Sequence, residues 1–307
     1  MAFADSKSSI LTAGISTVKV KIAGDAAYYS IPYLTDESTL EVTQISSQND
    51  PKQREYGLAF MVNIRAVTRA TDITNMIKVL PEFATANVFV KADCINGTKF
   101  YSEDINATTG YMGCTAELIN DGDTDRERRV EFNFMMAVTA AEFQTAITGS
   151  TADGTQAGGD AINEFASLVI SDITPARIER FDMKETSSGT WDDVIRNLRE
   201  GTFRASLRGE SDSRKRVRPN RFRIDFSVRY MQASSTEVAL IDNYATREND
   251  YRISFPDGYV TLNDNCGINF RWNVEGSVDQ NAYITITGGG VVQPSAFAAL
   301  FTTGSPA

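Results

Sequence analysis

Apolar and polar residues alternate along most of the chain with a period of two. RFRIDFSVRYMQ (221–232) places Phe222, Ile224, Phe226, Val228 and Tyr230 on one side and polar residues on the other. Such alternation predicts a strand with one face buried. YGLAFMVNIRAV (56–67), NVFVKADC (87–94), DYRISFPDGYVTL (250–262), CTAELIND (114–121) and INFRWNVEG (268–276) also read as extended. So do RRVEFNFMMAVTAAEF (128–143) and AYITITGGGVVQPSAF (282–297). Further strands lie upstream, in STVKVKIAG and AYYSIPYL, then in ARIERFDM and GTFRASLRG. Two stretches change period. In TDITNMIKVL (71–80), Ile73, Met76, Ile77 and Leu80 form one helical face behind a Thr71 or Asp72 cap, and SSTEVALIDNYA (234–245) repeats the arrangement behind Ser235 or Thr236. The predicted class is mainly β, in sandwich or barrel-forming sheets with one short helix per repeat.

The order strand, helix, strands occurs twice. An offset of 164 residues carries Met76, Ile77 and Leu80 onto Leu240, Ile241 and Tyr244, and both closing segments reach a Phe, Phe143 or Phe297. We therefore expect a tandem duplication; two unrelated β-rich domains of similar patterning are the plainer alternative. TAITGSTADGTQAGGDAIN (145–163) has linker composition. It divides the chain into 1–144, the linker 145–163, and 164–307. Long polar stretches at 34–55 and 209–220 precede the shared strand in each half and read as loops.

Composition restricts the chemistry. The 307 residues include 42% apolar and 23% charged and carry a formal charge of −10. Arg214, Lys215, Arg216, Arg218, Arg221 and Arg223 crowd ten positions that hold no acid. Without these six, 24 basic residues face 40 acidic ones, a balance of −16. Such a surface repels phosphate over about 8–10 Å, which argues against general nucleic-acid binding. There is no histidine, which removes Ser-His-Asp and Cys-His nucleophiles and imidazole metal ligands together. Cys94, Cys114 and Cys266 are odd in number and widely spaced, and read as small buried hydrophobes in a reducing compartment. The N-terminal residues do not read as a secretory signal, and no apolar run approaches the ~18–20 residues of a spanning helix.

The remaining motifs are weak. DGDTDRERR (121–129) spaces Asp121, Asp123 and Asp125 like a calcium loop, but Arg126 and Phe132 stand where Gly and Glu are required. A charged hairpin tip is the better reading. Glu103–Asp104 and Asp192–Asp193 are adjacent acids that face different ways on a strand or helix, so neither forms a glycosidase-like pair. Gly288–Gly290 follows a strand without opening a helix and reads as a bend rather than a phosphate cradle. Trp191 and Trp272 lack the interleaved basic spacing of a stacking platform. No catalytic, cofactor-binding or metal-binding residue is assigned, and the chain is not expected to be an enzyme.

A duplicated, acidic β-domain with long polar loops is the profile of an assembly subunit. In its order of strands, one short helix and further strands, the chain resembles the tail tube proteins of long-tailed bacteriophages and the related type VI secretion tube proteins. The resemblance covers about 15–143 and 165–300 and rests on element order and duplication. It implies a structural virion protein made in the host cytoplasm, stacking as trimeric, pseudo-hexameric rings into a hollow tube for DNA passage. It also implies tape measure, distal tail and tail terminator proteins as partners, no membrane insertion and no cofactor. An acidic lumen would let phosphate slide without sticking.

In that setting Arg214, Lys215, Arg216, Arg218, Arg221 and Arg223 are expected to meet the acidic surface of the next subunit or ring, with 34–55 and 184–220 as bridging loops. From Arg221 onward the stretch is a half-buried strand; Ser211–Asn220 is expected to be a loop. Other baseplate, tail or capsid-decorating proteins are the alternative, followed by a carbohydrate-binding module or glycosidase.

Overall fold

The computed structural model describes residues 9–45, 57–69, 83, 87–120, 129–154, 178–185, 189–195, 198–231, 249–255, 258–263, 269–275 and 283–303. The fold is mainly β. The first half contains β1 (Ser9–Ile22), β2 (Tyr29–Ser30), β3 (Thr39–Gln44), β4 (Phe60–Arg69), β5 (Val88–Cys94), β6 (Lys99–Tyr101), the short α1 (Ser102–Ile105), β7 (Gly113–Asn120), β8 (Arg129–Val138) and α2 (Ala140–Thr148). The second contains β9 (Arg180–Glu185), β10 (Asp192–Ile195), β11 (Leu198–Ser211), β12 (Val217–Met231), β13 (Asn249–Phe255), β14 (Gly258–Leu262), β15 (Asn269–Glu275), β16 (Tyr283–Val292), α3 (Pro294–Phe297) and β17 (Phe301–Thr303).

All strand pairs with a stated register are antiparallel, and the two halves pair in the same order. β3–β4–β8–β7 in the first half corresponds to β11–β12–β16–β15 in the second; β2–β1–β5–β6 corresponds to β10–β9–β13–β14, to which β17 adds an edge. Equivalent positions can be read from register. Phe60 lies opposite Val138 as Phe222 lies opposite Val292. Five residues further on, Phe143 meets Phe60 at 5.2 Å between ring centroids, and Phe297 stacks on Phe222 at 3.9 Å.

Alternation places the core between the layers of each half. On β12, Phe222, Ile224, Phe226, Val228 and Tyr230 are buried while Arg221 and Arg223 are exposed. Phe181 of β9 reaches Phe226, and Phe203 of β11 reaches Phe255 of β13, tying the two layers of the second half together. In the first half Phe83 packs edge-on against Phe132 and Phe134 of β8. Thr139 caps α2 with a reciprocal box: its hydroxyl accepts from the Glu142 amide at 3.2 Å, and Glu142 accepts from the Thr139 amide at 2.9 Å.

Several expectations are corrected. The stretch 34–55 is not all loop: Leu40 and Val42 alternate into the core and make β3. The expected loop 184–220 is mostly strand. β10 and β11 fall inside it, and β12 begins at Val217 because its polar residues simply face outward. Pro219 sits within β12 beside the register shift at Arg208/Gly209, where a missing amide donor is tolerated. Gly288–Gly290 is not a bend but lies within β16: all three pair with β12, and Gly288 and Gly289 also with β15. A Cβ on Gly289 would come within 2.7 Å of Asp225 Oδ1 and 2.9 Å of the Ile224 carbonyl, so the bare backbone makes room for Asp225. Helix α2 continues to Thr148, past the expected start of the linker. The expected helices at 71–80 and 234–245, residues 121–128 of the acidic motif, residues 155–163 of the linker and Cys266 lie outside the described residues.

Candidate assembly interface

The two halves meet edge to edge. β7 of the first pairs with β11 of the second, from Leu207↔Ala116 to Phe203↔Asn120, so the two four-stranded orders run on as one sheet. Each partner brings an edge that would otherwise expose unpaired amides and carbonyls. At the far end β15 pairs only with β16 among the described residues, leaving the equivalent edge open. β3, which occupies in the first half the place of β11, has its outer edge covered by Ser9–Gly14 of β1.

A second contact between the halves is made by the tip of the β11–β12 hairpin, where the arginine cluster lies. Asp212 organises the tip by accepting from the amides of Arg214 (2.8 Å) and Arg216 (3.1 Å), while Lys215 adopts a left-handed conformation with φ of 60°. Arg216 is buried. Its Nε donates to Asp212 at 2.7 Å, Nη1 donates to the Thr109 carbonyl at 3.2 Å, and the guanidinium stacks 4.0 Å from the centre of the Tyr111 ring. Arg218 donates to the Tyr111 hydroxyl at 2.6 Å. Arg214 forms an ion pair with Glu142 at 2.9 Å, and its carbonyl accepts from the Ala137 amide at 2.7 Å. Close approach here requires Gly113: a Cβ on it would lie 2.0 Å from the Val217 nitrogen.

Both carboxyls of this dock are held below their usual range. Burial pushes Asp212 up, but hydrogen bonds from Arg216 and the tip amides outweigh it. For Glu142, burial is likewise outweighed, by the Thr139 amide and Arg214.

The six cations therefore separate. Arg214, Arg216 and Arg218 are bound in the dock between the halves, whereas Lys215, Arg221 and Arg223 face outward. Sequence reasoning missed Asp212, Glu142, Thr109 and Tyr111 as the groups that receive them. The Thr139–Glu142 capping spacing was readable, but nothing local couples it to a hairpin 72 residues away.

Arg223 is held by Asp225 at 2.9 Å on the outward face of β12. Arg204, Arg208, Arg221 and Arg271 share that face, with Arg208 directly opposite Arg221. A shallow depression of about 500 Å³ over Gly288–Gly290 is lined by Arg223, Asp225 and Arg271. The acid excess of the chain does not sit here.

Of the acids weighed as catalytic pairs, Glu103 and Asp104 have structural partners. Glu103 joins Lys21 and the Tyr28 hydroxyl, while Asp104 accepts from Thr151 Oγ1 at 2.7 Å. Cys94 and Cys114 are buried free thiols; burial pushes Cys94 up to about 11 and Cys114 further still. Among the described residues no group of three or more acidic or cysteine side chains is placed to hold a metal, and no helix is long and apolar enough to cross a membrane.

Comparison with protein-family models, curated proteins and solved structures returned no match to this chain.

Proposed function

We propose that this chain is a structural subunit of a phage tail tube, in which a duplicated β-domain closes into rings by joining sheets edge to edge. The observation that carries the reading is the junction of β7 with β11. One chain already contains a lateral contact between two units of the same strand order. If β15 repeats that contact onto β3 of the next copy, three chains supply six such units and close a trimeric, pseudo-hexameric ring. Closure removes every sheet edge of this layer, which is the physical reason for the ring to form.

The ring also revises one expectation. With the second layer outward, the channel wall is the face bearing Arg204, Arg208, Arg221, Arg223 and Arg271 beside Glu41, Glu117, Glu131 and Asp225. Such a channel is mixed in charge, basic along the second unit of each chain, rather than uniformly acidic. Tape measure, distal tail and terminator proteins are the partners that follow, with no membrane insertion.

End-on cryo-electron microscopy of the native particle tests the reading. The expected image is a ring of three subunits around an open channel, repeated along a tube. A single ring or isolated copies on a capsid surface would favour a baseplate or decorating role and overturn the tube.

A further inference from the structure

We infer that Ser9–Gly14, the first part of β1, is a displaceable edge guard. It occupies, within one chain, the outer edge of β3 that receives β15 of a second copy. The inference rests on the ring reading above, and adds to it a self-blocked state of the free subunit.

The argument starts from the two equivalent edges. β3 and β11 each form a hairpin with the next strand, with Val42 opposite Val62 and Ala205 opposite Ile224. On its other side β11 receives β7, with Leu118 opposite Ala205. On the same side β3 receives Leu11–Gly14, with Leu11 opposite Val42 and Gly14 opposite Thr39. β15 holds in the second half the place of β7: Val274 lies opposite Ile284 as Leu118 lies opposite Val130. Transferring the internal junction to two copies therefore sets Val274 opposite Val42. That position is already taken by Leu11.

The covering segment is built to leave. Its ladder runs along β3 alone, and on the other side only the Gly14 carbonyl, at its end, accepts from the Ile95 amide at 2.9 Å among the described residues. Among residues 11–14, Ala13 is the one buried side chain, Leu11 is half-buried, and Gly14 has no side chain to bury. Its register slips between Ser9 and Leu11 and breaks again between Ile15 and Thr17. The strand passes from the β3 edge to β5 between Gly14 and Ile15, next to the second break. Beyond it, Thr17–Ile22 runs along β5, with Lys19 and Val20 also paired to β2 and with Val18 and Val20 buried. The first part can thus detach at the break while the second stays anchored. A guard of this kind prevents indiscriminate edge pairing before assembly, the hazard common to open sheets.

A reversible lock tests it. Thr12 and Glu41 are directly opposite. Facing positions in antiparallel strands have Cα atoms about 4.5–5.5 Å apart, within disulfide range. In a Thr12→Cys/Glu41→Cys variant with Cys266→Ser, the oxidised protein should remain a monomer by light scattering and electron microscopy. Reduction should restore assembly relative to the oxidised form. If oxidised and reduced forms assemble equally, the guard is wrong and the ring reading stands. If neither wild type nor the reduced variant assembles, even on native tail initiation complexes, both fall. Hydrogen exchange on the free monomer gives an arm independent of assembly. Amides of residues 11–14 that take part in the β3 ladder should exchange at least about 100-fold faster than those of 18–22. Equal protection would overturn the guard.

Discussion

The ammonium of Lys91 lies 4.1 Å from the centre of the Tyr28 ring, and the guanidinium of Arg252 lies 4.6 Å from the centre of Trp191. The two pairs hold like places in the two halves. Lys91 lies at the middle of β5 and Arg252 at the middle of β13, each nearly inaccessible, and each ring follows a lysine (Lys21 or Lys184) by seven residues. Those lysines approach the same rings at 5.0 and 5.1 Å.

The acids that accompany these cations differ, and this sets unequal costs. Lys91 pairs with Asp153, whose side chain is 45% exposed; Arg252 pairs with Asp182, which is wholly buried. Lys91→Met leaves a carboxylate that water can reach and is expected to cost about 1–2 kcal/mol. Arg252→Met leaves the buried carboxylate paired with the more exposed Arg180 at 2.6 Å and is expected to cost about 3–5 kcal/mol. Urea unfolding midpoints of the two variants, at unchanged m-value, check the order.

The phenylalanine pairs predict a second asymmetry. Phe222 and Phe297 are fully buried, whereas Phe60 and Phe143 are half-buried. Phe297→Ala should destabilise by about 3–5 kcal/mol, and Phe143→Ala by clearly less. Thermal unfolding of both variants measures the difference.

Gly113→Ala should loosen the dock between the halves without touching either core. The added Cβ meets backbone of Arg216 and Val217, which has no rotamer to escape through. A cost of about 1–3 kcal/mol is expected. The expected signature is faster hydrogen exchange at 212–218, with β12 protection retained from Phe222 onward.

Acid should undo the same dock. The folded-state values of Asp212 and Glu142 are depressed. Their stabilisation is therefore complete above the ordinary carboxylate range near pH 4 and is lost as pH falls through the lowered values. Stability should be flat in this contribution from pH 7 to about 5 and decline below about 4. In Arg214→Met/Arg216→Met the decline should be shallower, as read from urea midpoints against pH.

Much of the fold was legible because burial writes itself into a period of two. β4, β5, β7, β8, β12, β13, β15 and β16 all fall on stretches whose alternation or apolar content predicts strand. β3 was hidden in a polar stretch because only Leu40 and Val42 signal its buried face. The glycines of β16 mimicked a bend because a residue without a side chain carries no periodicity, yet its amide and carbonyl still join the ladder.

The candidate interface was legible only in outline. The sequence displayed an acid-free run of arginines, and a charge cluster invites a partner in another molecule. Tertiary structure docked three of them, Arg214, Arg216 and Arg218, against the other half of the same chain, because β11 and β12 extend far enough to carry the tip across Gly113 onto Tyr111 and Glu142.

By itself, then, the amino-acid order determined which residues of most strands turn inward, since that depends on neighbours close in sequence. Which edge meets which was decided by tertiary structure alone. Any strand edge offers the same amides and carbonyls; the choice of β7 for β11, and of Ser9–Gly14 for β3, depends on where the rest of the chain brings each edge.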